Sequence, residues 1–159
     1  MEVETLEQHR WLQQLVGEWT MAGEGDMGPG QPPFKSQGTE SVIALGDLWI
    51  VGEAVGNMPG GGDAQMRLTL GYDPAQQAFV GSWVGSMATH MWVYKGQLDA
   101  AKKVLTLDTE GPSMAGDGTN MRYQDVITLV DANTRTLHSQ TLGADGQWTR
   151  FMTATYQRQ

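Results

Sequence analysis

Residues 121–156 read MRYQDVITLVDANTRTLHSQTLGADGQWTRFMTATY and decide the fold of this chain. Three runs rich in β-branched and aromatic residues follow one another there: Met121–Val130, Thr136–Leu142 and Trp148–Tyr156. The short polar segments Asp131–Asn133 and Gly143–Gly146 join these runs, and both have the length and composition of hairpin loops. The stretch therefore predicts three antiparallel strands in a meander.

The same pattern of strand and turn extends back toward the N-terminus. We predict seven earlier strands, at Val16–Glu24, Gln37–Leu45, Leu48–Val55, Gln65–Tyr72, Ala78–Val84, His90–Leu98 and Val104–Thr109. A long meander of this kind loses its exposed edges when it closes on itself. We therefore predict an all-β fold in which an antiparallel meander of about ten strands closes into a barrel, with room inside for side chains or one small ligand.

A short helix is predicted before the first strand. Thr5–Gln8 matches a capping box, with Thr5 as the N-cap and the Gln8 side chain reaching back to it. Gly17 ends the helix. Because 159 residues suit one domain, we expect residues 1–159 to form a single barrel domain capped by this helix.

The composition argues against several classes of function. The formal net charge is −8 and the ten Lys and Arg residues are scattered, so we expect no binding to nucleic acid or to an anionic membrane. The absence of cysteine rules out disulfides, thiol catalysis and cysteine-bound metals. No run approaches the ~18 apolar residues of a membrane-spanning helix. The first residues carry neither a basic start nor an apolar run, so we expect no signal peptide and a cytoplasmic location.

The start of the first strand carries a recognisable motif. Gly17-Glu18-Trp19, placed just after a short helix, resembles the Gly-x-Trp start of lipocalins and related calycins. The resemblance implies a calycin-like barrel whose bottom is plugged by the Trp. It also implies that an Arg or Lys of the last strand packs on the indole as a cation–π pair, and Arg150 and Arg158 are the candidates here. The first strand also resembles that of the nitrobindins, which are haem-binding calycins with a proximal histidine.

A second resemblance covers nearly the whole chain. The chain is similar to an uncharacterised bacterial family of unknown function through Leu15–Trp19, Leu70–Pro74, Phe79–Trp83, Tyr94–Gly96, Leu105–Leu107, Tyr123–Val126 and Asp145-Gly146. One departure is Gly85, which stands before Ser86-Met87 where the family often has an acidic residue. Since the family has no established activity, this resemblance implies fold and grouping alone.

The leading functional hypothesis is that the barrel binds a small apolar or amphipathic molecule. Six Trp and ten Met are many for this length, and such side chains line adaptable cavities. The predicted lining residues are Trp83, Trp92, Tyr94, Met121 and Tyr123. We expect His90, His138 or Arg150 to orient the polar end of the ligand.

Two alternatives remain open on the sequence. The first is an enzyme that uses the same cavity, either with haem or in an acid–base reaction such as isomerisation, and it requires an inward-facing histidine. The second is a structural or interaction module that forms a homodimer. No two histidines have the spacing of a shared metal site, so we predict no metal.

Several charged residues lie in the middle of strands rather than in turns: Glu40, Glu53, Arg67, Asp125 and Arg150. Alternation puts Arg150 on the same face as Met152 and Tyr156, and Asp125 on the same face as Tyr123 and Ile127. A charge on an apolar face is either paired with an opposite charge or placed at a ligand. Structural ion pairs, ligand contacts and catalysis all stay open for these residues.

Overall fold

Ten antiparallel strands close into one barrel in the computed structural model, which describes residues 2–159. One helix precedes them, α1 (Glu7–Gln13). The strands are β1 (Gly17–Gly25), β2 (Phe34–Leu45), β3 (Trp49–Asn57), β4 (Asp63–Asp73), β5 (Ala78–Gly85), β6 (Trp92–Leu98), β7 (Val104–Pro112), β8 (Asn120–Asp131), β9 (Thr134–Leu142) and β10 (Trp148–Arg158). Each strand pairs with the next, and β1 pairs with β10 to close the ring. The predicted meander and its closure are confirmed.

Several strands extend further than their sequence predicts. β2 begins at Phe34, which pairs with Gly25, and β7 continues to Pro112, which pairs with Asn120. The β7 extension, Glu110–Pro112, contains Gly and Pro, which have low strand propensity, so pairing with β8 outweighs local preference there. β6 is shorter than predicted, because it begins at Trp92 rather than His90.

Helix α1 covers the end of the barrel at which β1 begins. Its apolar residues Trp11 and Leu12 join Leu15, Ile50 and Leu70 in the buried core. The opposite end carries the connections 26–33, 58–62, 86–91, 113–119 and 143–147. The interior is therefore packed at the helix end, and the loops surround the other end. No helix within residues 2–159 is long and apolar enough to cross a membrane.

The start of α1 differs from the predicted capping box. The N-cap is Leu6 rather than Thr5, and its N–H donates to Nδ1 of His9 at 2.9 Å. Since Nδ1 accepts, the proton of the neutral ring lies on Nε2, which donates to the carbonyl oxygen of Tyr72 at 2.9 Å. His9 thus caps the start of α1 and also connects the helix to β4 by a hydrogen bond. The capping residue is therefore His9 and not the predicted Gln8.

Trp19 plugs the barrel beneath the helix. Its side chain is 2% exposed and its indole N–H donates to the Leu15 carbonyl at 2.9 Å. The guanidinium carbon of Arg158 lies 4.3 Å from the ring centroid, which confirms the cation–π contact expected from the last strand. Arg135 of β9 lies over the same indole at 4.7 Å, a contact that the sequence did not predict.

Candidate binding site in the barrel lumen

Contacts that skip strands show which side chains face the lumen. Glu40 of β2 forms a salt bridge with Arg135 of β9, although β1 and β10 lie between these two strands in the sheet. Such a pair can form only across the interior. Both side chains are buried, so an ion pair of opposite charges spans the lumen just above Trp19.

A second polar cluster surrounds Asp125 of β8. The Tyr94 hydroxyl reaches past β7 to donate to Oδ2 of Asp125, and the Ser139 hydroxyl donates to Oδ1 at 2.5 Å. Burial raises the pKa of Asp125 above its ordinary value, against the lowering effect of these two hydrogen bonds. Burial, followed by the charge of Asp125, also raises the pKa of Tyr94, which keeps its hydroxyl protonated as a donor.

Tyr156 of β10 also faces the lumen beside the ion pair. The guanidinium carbon of Arg135 lies 3.9 Å from the centre of the Tyr156 ring, and burial raises the pKa of the Tyr156 hydroxyl. We refer to these inward-facing side chains together as the polar layer: Glu40, Tyr94, Asp125, Arg135, Ser139 and Tyr156.

Two buried polar atoms in the lumen lack a partner among residues 2–159. They are Nε of Arg135 and the hydroxyl oxygen of Thr109. Arg135 is 4% exposed and Thr109 is 8% exposed, so bulk water does not readily serve either atom. Buried polar groups are almost always hydrogen-bonded in folded proteins, and an unsatisfied one costs about 1–3 kcal/mol. The side chains of the lumen alone therefore leave one hydrogen-bonding group of Arg135 and one of Thr109 without a partner.

Toward the loop end, the lumen is lined by aromatic and methionine side chains. A Cβ on Gly56 would lie 3.6 Å from Cε of Met66 and 3.7 Å from Cε of Met21, which locates both methyl groups inside. We refer to this region as the apolar half, formed by the inward positions Met21, Met66, Trp83, Trp92, Met121 and Tyr123. All five lining residues predicted from the sequence lie at inward positions. Trp83, Trp92, Met121 and Tyr123 belong to the apolar half, and Tyr94 belongs to the polar layer.

The barrel wall is incomplete between β6 and β7. Their ladder runs only from Lys95↔Asp108 to Leu98↔Leu105, and Trp92–Tyr94 pairs with β5 alone. A cleft of about 680 Å³ lies on the outside at this place, and its lining includes the lumen residues Tyr94 and Thr109. The missing hydrogen bonds thus coincide with a cleft in the outer surface that is lined in part by Tyr94 and Thr109.

Trp92 and His90 lie across this gap. The Trp92 indole packs on Gly111, where an added Cβ would come within 2.3 Å of the ring. It reaches past β7 to Tyr123, with ring centroids 5.0 Å apart. His90 stacks edge-on against Trp92 at 4.7 Å, and its Nε2 lies 3.0 Å from the Glu110 carbonyl oxygen. His90 therefore belongs to the closure of the gap, and its Nε2 would lie 3.0 Å from a Cβ added on the inward side of Gly111.

His138 and Arg150 lie on the outer face, which corrects their predicted place in the lumen. His138 alternates with the inward residue Ser139, and burial, followed by the charge of Arg150, lowers its pKa. Arg150 pairs with Gln140, and a β-bulge separates it from Met152, which points inward. The extra residue reverses the alternation, so Arg150 and Met152 occupy opposite faces.

The mid-strand charges fall into two groups. Glu53 and Arg67 form an exposed salt bridge of 2.5 Å on the outer face, while Glu40 and Asp125 belong to the polar layer. Sequence reasoning missed Arg135, because the predicted β9 began one residue later, at Thr136. Its alternation with Leu137 and Ser139 is the signal that could have placed it inside.

Each of the three histidines either contacts a hydrogen-bond partner or faces the outer wall. Both ring nitrogens of His9 are bonded, Nε2 of His90 lies against a backbone carbonyl, and His138 faces outward. These are all the histidines of the chain. Within residues 2–159, a free Nε2 in the lumen would require His90 to leave the Glu110 carbonyl oxygen, and the enzymatic alternative depends on such a movement.

Comparison with known proteins places the chain in a family. A family model described as "Protein of unknown function (DUF1579)" matches residues 4–158. The chain belongs to this family. That result confirms the resemblance, over nearly the whole chain, to a family without an established activity. No curated protein matches the chain.

Solved structures share the barrel of this family member at low identity. Rv2717c from M. tuberculosis is 14% identical with a TM-score of 0.63, over 98% of this chain and 99% of that one. An S-type phycobiliprotein lyase, CPES from Guillardia theta, is 11% identical with a TM-score of 0.55, over 94% and 91%. EF1p2_mFAP2b bound to DFHBI is 17% identical with a TM-score of 0.51, over 96% and 100%. These likenesses show the fold alone.

The buried carboxyl of Asp125 predicts a pH-dependent stability that Asp125→Asn removes. Since the pKa of Asp125 is raised in the folded chain, its contribution to stability is complete below the unfolded value of about 4. That contribution is lost as the pH rises through the folded pKa. We expect urea unfolding to show the variant gaining stability relative to wild type as the pH rises from about 4 through the raised pKa of the folded chain. A difference constant over this range would contradict the burial of this carboxyl. Part of the difference comes from His138, because its charge interacts with that of Asp125.

Proposed function

We propose that this chain binds a small, partly apolar molecule in its lumen. The apolar half would enclose the body of the ligand, and the polar layer would hold its polar end. The two unpartnered atoms, Thr109 hydroxyl and Arg135 Nε, carry this proposal. A ligand that supplied hydrogen bonds to them would remove an energetic penalty that the unliganded barrel retains.

The solved structures support the proposal by analogy of fold. EF1p2_mFAP2b is bound to DFHBI, a small molecule, and the Guillardia theta protein is a phycobiliprotein lyase. A shared fold is an associational argument, since unrelated functions occur on one architecture. The proposal therefore rests first on the lumen of this chain.

The gap between β6 and β7 supplies the proposed route to the lumen. Opening it requires Trp92 to leave Gly111 and His90 to leave the Glu110 carbonyl, while the adjoining ladders of β5 with β6 and β7 with β8 stay intact. Side-chain rotations of this kind cost far less than breaking a complete ladder.

Filling the lumen tests the proposal. Gly25 lies at an inward position near the loop end of β1, with no atom within 4 Å of an added Cβ, so Gly25→Phe should fit without backbone strain. We expect this variant to weaken the binding of naphthylmethanol at least tenfold in isothermal titration calorimetry. The control Ala22→Phe places the same ring on the outer face of the same strand and should bind as wild type does. Equal affinities for both variants would contradict binding in the lumen.

The homodimer remains a separate proposal. Large apolar side chains are exposed on the outer wall, at Ile43 and Leu45 on β2 and at Met91 and Val93 beside the gap. They supply the apolar surface that association would need. Sedimentation velocity of the purified protein tests this, and a monomer at high micromolar concentration would contradict it.

A further inference from the structure

The polar layer holds one more carboxyl group than it holds cations. Glu40 and Arg135 are buried together and compensate each other's charge. Asp125 has no salt-bridge partner in the described part of the chain, and its two direct partners, Tyr94 and Ser139, are neutral hydroxyl groups. The lumen therefore offers a carboxyl group without a counter-ion.

Asp125 also retains unused acceptor capacity. A carboxylate accepts about four hydrogen bonds, and each oxygen of Asp125 accepts one from a side chain. The residue is partly accessible despite the burial that raises its pKa, as expected for a group that lines an internal space. A donor that entered the lumen could use the remaining positions without displacing Tyr94 or Ser139.

The surroundings of Asp125 suit a donor with an apolar body. Tyr123 is the next inward residue of β8, and its ring contacts Trp92. Thr109 pairs with Tyr123 across β7 and β8, and its unpartnered hydroxyl lies on the same side of the layer. Aromatic faces attract cations, and the hydroxyl can accept a second hydrogen bond from the same group.

A carboxylate ligand finds no equivalent place. It would face the carboxyl group of Asp125, and the one guanidinium of the polar layer already pairs with Glu40. Nε of Arg135 could donate one hydrogen bond to such a ligand without disturbing the pair with Glu40, but the ligand would add a third carboxylate to a layer with a single cation.

From this arrangement we infer that the ligand presents a hydrogen-bond donor, in the form of a protonated amine, to Asp125. This inference rests on the proposed function and specifies the chemistry of its ligand. The amine nitrogen donates to Asp125 and to Thr109, and the aromatic body of the ligand lies against Trp92 and Tyr123.

Three matched compounds test the inference on the full-length protein: naphthyl groups that carry a methylamine, a methanol or a carboxylate substituent. Calorimetry at neutral pH should give the tightest binding for the amine and the weakest for the carboxylate. Asp125→Asn keeps the side-chain volume and should weaken amine binding at least tenfold, while alcohol binding changes less than threefold. The control Glu53→Gln removes the same charge from the outer wall and should change neither.

The outcomes separate this inference from the proposed function. If the carboxylate binds most tightly, or if Asp125→Asn and Glu53→Gln affect amine binding equally, the amine assignment fails while lumen binding stands. If none of the three compounds binds, lumen binding fails as well. The ranking of the compounds on wild type decides the question even where Asp125→Asn does not fold.

Discussion

Replacing Arg135 with methionine is expected to lower the free energy of unfolding by about 3–5 kcal/mol. The substitution leaves Glu40 buried in the lumen without its cation, and it removes the guanidinium that lies over Trp19 and Tyr156. Removing one partner of a buried ion pair is costly, because the remaining charge stays desolvated and no longer has an opposite charge beside it. Urea denaturation followed by tryptophan fluorescence measures the loss.

Two further variants identify the origin of this loss. Adding Glu40→Gln to Arg135→Met removes the unpaired buried charge of Glu40 and should recover most of the stability. Arg67→Met breaks an ion pair of the same residue types on the exposed outer wall and should cost about 1 kcal/mol or less. If Arg135→Met cost no more than Arg67→Met, the ion pair across the lumen would not exist as described.

Replacing Trp19 with alanine should have a similarly large effect, about 3–5 kcal/mol. The substitution empties the barrel bottom, breaks the hydrogen bond to Leu15 and removes the surface on which Arg135 and Arg158 rest. Thermal unfolding should show a correspondingly lower midpoint temperature.

Trp49→Ala is the matched control for the barrel plug. Trp49 is 37% exposed and lies on the outer wall against Gly71, so its loss should cost about 1 kcal/mol. Equal losses for Trp19→Ala and Trp49→Ala would show that Trp19 does not plug the barrel.

The architecture could be predicted because it depends on local patterns. Alternation and turn composition in residues 121–156 predict three strands. The observed β8, β9 and β10 begin and end within a few residues of the predicted bounds. The Gly-x-Trp motif placed Trp19 and its last-strand arginine correctly, since Arg158 sits over the indole. Closure followed from the physical cost of exposed edges.

The candidate site was harder to predict, because alternation gives the face of a residue and not its partner across the lumen. Glu40 and Arg135 are 95 residues apart, and no local pattern joins them. The bulge before Met152 reversed the face of Arg150, and nothing in the residue types there distinguishes a bulge from a regular strand. The gap between β6 and β7 likewise depends on strand register rather than on composition.

The methionine methyl groups provide the most direct test of lumen binding. Met21, Met66 and Met121 lie at inward positions, whereas Met27 and Met114 are exposed on loops. With carbon-13 methyl labels, titration with naphthylmethylamine followed by NMR reports each environment separately. We predict chemical-shift changes at the methyl groups of Met21, Met66 and Met121 and smaller ones at the two exposed groups. Changes confined to Met27 and Met114, or no changes at saturating ligand, would contradict a binding site inside this barrel.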